Sequence, residues 1–119
     1  MSTALAGPAF KRVRGPALLL MGALTSLSGW CDQDAALMEW GRKLFTTVTP
    51  ACATCHTLQD AGSDGAIGPV LDEIKPDSAR VSKALHNGLG VMPSFKAVLT
   101  EAQMAALAHY VSRVTGGEK

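Results

Sequence analysis

Apolar residues recur every three or four positions along residues 37–48. Leu37, Trp40, Gly41, Leu44, Phe45 and Val48 form one stripe, with charged and hydroxylated residues between them. That spacing is one face of an amphipathic helix. It predicts a helix starting near Asp34 and stopped by Pro50, whose ring cannot continue it. Residues 57–76 lose the period. Gly62, Ser63, Asp64, Gly65, Gly68 and Pro69 there predict a loop, with one helical turn near residues 70–74. A second, short helix follows, capped by Asp77 or Ser78, carrying Val81, Ala84 and Leu85, and closed by Asn87-Gly88. Thr100-Glu101-Ala102-Gln103 is a capping box. It opens a third helix with Met104, Leu107, Ala108 and Val111 facing inward and Gly116-Gly117 beyond its end. With no alternating strand pattern, internal repeat or long linker, the expected fold class is all-α: one domain of three main helices and their loops.

Upstream the chain changes character. Lys11, Arg12 and Arg14 precede the apolar residues 17–24, and Thr25, Ser26 and Ser28 follow. A basic cluster, a short apolar run and small polar residues, in that order, make a secretory signal. Residues 17–30 already include two serines and a threonine, whereas a spanning helix needs about 20 apolar residues. A cleaved leader over residues 1–28 is therefore expected, with 29–119 as the domain and the periplasm as its compartment. Losing the leader's three basic residues turns a net charge of +1 into −2. Neither value, without a block of like charges, suits a phosphate backbone, so no nucleic acid is expected as partner. The six aromatics are Phe10, Trp30, Trp40, Phe45, Phe95 and Tyr110. Two of these fall in the first thirty residues, so something besides side chains should help fill the core.

Cys52-Ala53-Thr54-Cys55-His56 reads Cys-x-x-Cys-His, the attachment signature for a c-type haem. Two thiols at this spacing reach the two vinyl groups of one porphyrin as thioethers, and the adjoining imidazole becomes the proximal iron ligand. A thioredoxin-like pair would want a βαβ setting that the chain lacks. A structural zinc site would want a second ligand pair, and His86 and His109 are far apart. A Cys52–Cys55 disulfide would close a tiny loop and leave His56 unexplained. Cys31 is left over. A lipid anchor there would want a small residue before the cysteine, where Trp30 stands, so an unmodified thiol is expected, and membrane attachment only if Cys31 is lipidated.

Together with Gly68-Pro69, Val91-Met92-Pro93-Ser94-Phe95 and a terminal helix bearing Leu107 and Tyr110, the signature makes residues 36–114 resemble a small class I c-type cytochrome. In that fold three main helices and loops wrap around one covalently attached haem. The resemblance implies that Gly41 and Phe45 pack against Tyr110, that the Pro69 carbonyl accepts a hydrogen bond from His56, and that Met92 is the distal iron ligand. Physical reasons agree with these roles. A hydrogen bond to the second imidazole nitrogen orients the ring and raises its basicity. A thioether is a soft, neutral ligand that favours ferrous iron, and Pro93 keeps the Met92 segment extended. Met92 lies in a loop bracketed by Gly and Pro, whereas Met38 and Met104 lie on or beside helical stripes, where methionine usually fills core. His86 is the rival distal ligand and would give a bis-histidine haem of lower potential. His109 is expected to face solvent, and Trp40 to pack against the haem or the last helix.

An iron with both axial positions filled by protein is left with one-electron exchange through the porphyrin edge. The expected function is therefore an electron carrier rather than an enzyme, acting alone or as a subunit of an oxidoreductase complex. It would accept electrons from a dehydrogenase and pass them to a terminal oxidase or another cytochrome. Residues 84–88 and 91–95 are further similar to haem subunits that accept electrons from molybdenum sulfite dehydrogenases. The alternative is a ligand-binding or peroxide-reactive haem protein in which Met92 is displaced. Lys75, Lys83 and Lys96 are candidate rim charges for a redox partner.

Overall fold

The stripe through Leu44 and Phe45 becomes α1 (Gly29–Thr47), the first of five helices among the described residues. The structure is a computed structural model. It describes residues 29–118, with Thr3, Gly7 and Gly15 the only positions described before them. The expected leader otherwise lies outside the described residues. Helix α1 begins earlier than Asp34, with no glycine or proline among residues 30–33 to stop it, and Asp32 in the first turn suits the positive end of the helix dipole. A single turn, α2 (Cys52–Cys55), leads into β1 (Thr57–Leu58) and β2 (Ser63–Asp64). These strands pair antiparallel, Thr57 opposite Asp64 and Leu58 opposite Ser63. This small hairpin replaces part of the expected loop. Then come α3 (Leu71–Ile74), α4 (Ser78–Asn87) and α5 (Glu101–Thr115).

Caps fix where the last two helices begin. Asp77 Oδ1 accepts from the Arg80 N–H at 2.7 Å. Thr100 and Gln103 satisfy each other's backbone N–H groups in the expected capping box. Helix α5 is the centre of the core: Met104, Ala106, Leu107, Ala108, Tyr110 and Val111 are all buried on it. Helix α1 crosses it at Gly41, where a Cβ would collide with the Tyr110 Cβ and the Ala106 carbonyl. The close approach lets Phe45 meet Tyr110 edge-on, with centroids 6.2 Å apart at 63°. The buried Tyr110 hydroxyl donates to Asp60 Oδ2 at 2.6 Å. Arg42 Nε lies 3.9 Å from the same oxygen, so α1, α5 and the hairpin turn are fastened at one point. Burial, and then the hydrogen bond to Asp60, push the Tyr110 pKa up.

Two expectations are corrected. Trp40 lies at the edge of the α1 stripe and is 40% exposed rather than packed in the core. His109 does not simply face solvent: its Nε2–H donates to Asp34 Oδ1 at 2.8 Å, and Arg113 Nη2 is 3.4 Å from the other carboxylate oxygen, joining α5 to the start of α1.

Candidate functional site

All five residues singled out in the sequence, Cys52, Cys55, His56, Pro69 and Met92, line one cavity of about 880 Å³. The α2 turn places both cysteines on its wall, and the His56 N–H closes the turn onto the Cys52 carbonyl at 2.9 Å. No disulfide joins Cys31, Cys52 or Cys55. Burial pushes the Cys52 thiol up to about 11. That direction is opposite to the lowered thiol of a redox-exchange pair.

His56 is positioned by the chain that follows it. The Gly68 N–H donates to the Cys55 carbonyl at 2.7 Å, which brings Pro69 back over the turn. His56 Nδ1–H then donates to the Pro69 carbonyl at 2.9 Å. A carbonyl can only accept, so Nδ1 carries a proton, and in the neutral ring this tautomer leaves the lone pair on Nε2. Gly68 has to be glycine here: an added Cβ would fall 2.5 Å from His56 Cε1 and 2.8 Å from Nδ1. The hairpin completes the support. Ser63 Oγ donates to the His56 carbonyl at 2.9 Å and accepts the Leu58 N–H at 3.0 Å. Thr57 Oγ1 donates to the Gly65 carbonyl at 3.0 Å. Ser63 and Gly65 escaped the sequence reading as site-supporting residues because in sequence they look like any polar loop.

Met92 is held by the end of α4. Leu89 and Met92 exchange backbone hydrogen bonds, both 3.0 Å, in a tight turn with Gly90 at φ 59. The chain then returns to the last carbonyls of α4, which have no partner inside the helix. Phe95 N–H donates to Leu85 O at 2.8 Å, and Ser94 Oγ donates to His86 O at 2.6 Å. Gly88, at φ 70, lets this segment lie against the helix end, since a Cβ there would sit 2.7 Å from the Met92 carbonyl. His86, the rival ligand, is not on the cavity wall. Its Nδ1–H donates to Ser82 O at 2.7 Å and its Nε2–H to Glu101 Oε2 at 2.8 Å.

The wall between the two candidate ligands is apolar, built from Phe45, Leu71, Leu85, Phe95, Leu107 and Val111. Among the described residues no group of three or more His, Cys, Asp or Glu side chains could hold a bare metal ion. One imidazole, one thioether, two thiols and a large apolar space suit a porphyrin with its own four nitrogens, and haem c fits the residues present. No helix of the described residues is long and apolar enough to cross a membrane.

Comparison with known proteins agrees with this geometry. Residues 36–111 match the family described as "Cytochrome C oxidase, cbb3-type, subunit III". The cbb3-type cytochrome c oxidase subunit CcoP of Cereibacter sphaeroides is 36% identical over 92 residues, covering 73% of this chain and 31% of that protein. The chain thus spans less than a third of the length of that relative. The crystal structure of the c-type cytochrome SorU from Sinorhizobium meliloti superposes with a TM-score of 0.66 at 46% identity, covering 69% of this chain and 94% of that one. With more than half of its residues matched, the chain belongs to this cytochrome family and is a small c-type cytochrome of mostly helical fold.

Proposed function

We propose that this cytochrome is an exported one-electron carrier. Cys52 and Cys55 would hold a single haem c as thioethers, and His56 and Met92 would ligate its iron. The observation that carries this reading is the shared apolar cavity of Cys52, Cys55, His56 and Met92, in which the Pro69 carbonyl already occupies His56 Nδ1. Bound there, haem supplies a reversible one-electron couple. The chain's own residues set its terms. Pro69 orients His56 and raises the basicity of Nε2. Met92 offers a neutral sulfur that favours the reduced iron. The apolar wall excludes water, and the Leu89–Met92 turn keeps the methionine in place.

Ile67, Leu89 and Val91 also line this cavity while being 68%, 71% and 87% exposed. They form an apolar lip where a partner protein docks, in the small transient interface typical of redox encounters. Lys75 and Lys96 lie outside the cavity lining and remain as exposed rim charges, whereas Lys83 lies on the cavity wall. The donor is a dehydrogenase, with the resemblance of residues 84–88 and 91–95 pointing to a sulfite dehydrogenase. The acceptor is a terminal oxidase or another cytochrome. The basic and apolar leader at residues 1–28 supports work in the periplasm.

The test is an optical spectrum of purified holoprotein, oxidised and reduced. A near-infrared sulfur-to-iron band in the ferric form, and no spectral response of the ferrous form to carbon monoxide, are expected. A missing sulfur band together with carbon monoxide binding would overturn Met92 ligation and give the function to a ligand-binding or peroxide-reactive haem protein.

A further inference from the structure

Helix α4 supplies Val81, Ala84 and Leu85 to the cavity wall, and its last turn carries the Met92 segment on the Leu85 and His86 carbonyls. Its first turn follows a strained joint. Among the described residues Lys75, just before Pro76, is the one non-glycine residue with positive φ, at 41. A lysine stays in that conformation only where its surroundings hold it. Pro76 is buried and lines the cavity.

Residues 116–118 supply what holds the joint. Gly116, at φ 73, turns the chain back after α5. The Ser112 carbonyl then accepts the Gly117 N–H at 2.8 Å and the Glu118 N–H at 3.3 Å. This lays Gly117 on the joint, where an added Cβ would collide with the Pro76 carbonyl and fall 2.8 Å from the Lys75 carbonyl. One residue on, Glu118 Oε1 accepts the Ser78 N–H at 3.0 Å. The Ser78 side chain first, and this N–H second, hold the Glu118 carboxyl below its ordinary value. Helix α4 already has a cap of its own in Asp77, which takes the Arg80 N–H. A second carboxylate, reaching the same helix end from 40 positions away, does less for the helix itself than for its place against α5.

We infer that Glu118, seated by Gly117, is a positioning residue that latches the start of α4 to α5 and so keeps the cavity closed around Met92. The inference goes beyond the carrier reading and rests on it for the role of Met92. Helix α4 is pinned at both ends, by Glu118 at its start and by Ser94 and Phe95 at its finish. Lys75 and Pro76 form the hinge from α3. Release of the first pin lets α4 swing about the second, which opens the wall at Val81 and Ala84 to water and to small ligands that compete with Met92.

The experiment compares wild-type holoprotein with Glu118→Ala and Glu118→Gln by two measurements. One is amide hydrogen exchange read by mass spectrometry; the other is the rate at which added imidazole abolishes the near-infrared sulfur band of the ferric form. In Glu118→Ala, exchange across residues 77–84 and the imidazole rate should each rise about fivefold, the factor one lost hydrogen bond implies. The hairpin, residues 57–64, should exchange as in wild type. Glu118→Gln keeps an oxygen that accepts the Ser78 N–H and should restore both wild-type values. Gly117→Ala, which crowds Pro76 and leaves the carboxylate in the chain, should reproduce the Glu118→Ala pattern. Wild-type exchange over residues 77–84 in Glu118→Ala, or a rise shared equally by the hairpin, would overturn the latch and leave the carrier reading intact. Faster exchange in α4 with a wild-type imidazole rate would overturn its effect on the cavity. A wild-type ferric form without the sulfur band would overturn the Met92 reading instead, with the exchange comparison still deciding the latch.

Discussion

Gly68 shows how much one missing methyl group decides. Its Cα faces the His56 ring so closely that Gly68→Ala would set a Cβ 2.5 Å from Cε1, and the imidazole must tilt away from the Pro69 carbonyl. Overpacking of this kind costs about 1–3 kcal/mol, and loss of the hydrogen bond makes the ligand less basic. The expected result is a lower urea midpoint for Gly68→Ala holoprotein and a raised midpoint potential. Unchanged values in both would show that the ring does not depend on this contact. The contacts of Gly41, Phe45 and Pro69 and the place of Met92 on the cavity wall were legible through the resemblance to a class I c-type cytochrome, whose motifs fix each of them relative to a neighbour. Trp40 and His109 were not. The helical period puts Trp40 on the stripe, but the edge of a stripe can be open to solvent. The partner of His109 is Asp34, 75 positions away, which no local pattern can name.

The end of α4 does two jobs with one residue. The His86 carbonyl accepts from Ser94 and so holds the Met92 segment, while its ring joins α4 to α5 through Glu101. Both ring nitrogens face acceptors, the Ser82 carbonyl and the Glu101 carboxylate, and an imidazole can donate from both only as a cation. The Ser82 carbonyl first, and Glu101 second, therefore hold the His86 pKa above its ordinary value, with Lys96 opposing them. A histidine whose folded pKa is raised contributes stability that is fully present below the unfolded value of about 6.5 and is lost as pH rises through the folded value. The melting temperature of holoprotein should accordingly fall as pH is raised from about 6.5 through this window, and the fall should be smaller in His86→Gln and in Glu101→Gln. Parallel profiles in wild type and both variants would remove the pair from any role in stability. Helix α5 and the limits of α4 were readable because caps and periods are local. The hairpin was not readable, since its two-residue strands hold their place by Ser63 and Thr57 side chains reaching backbone across the loop.

The whole molecule has a core divided by its cavity. Phe45, Leu71, Leu85, Phe95, Leu107 and Val111 belong to the buried cluster and at the same time line the 880 Å³ space. Their apolar faces on that side find neighbours only when something apolar fills it. Small domains bury a low fraction of their surface and have little stability to spare. A group that binds only the folded chain adds its binding energy to folding. The hydrogen bonds at the helix caps and around His56 secure local shapes but cannot supply that missing contact surface. Protein made without haem, for instance as Cys52→Ser/Cys55→Ser purified free of pigment, should therefore lack a cooperative thermal transition and show weak near-ultraviolet circular dichroism. Adding haem to it should restore part of both signals, because the apolar wall and His56 remain. A sharp, native-like transition in the haem-free variant would mean that α1, α4 and α5 close on one another unaided, and that the haem is a passenger in the core rather than part of it.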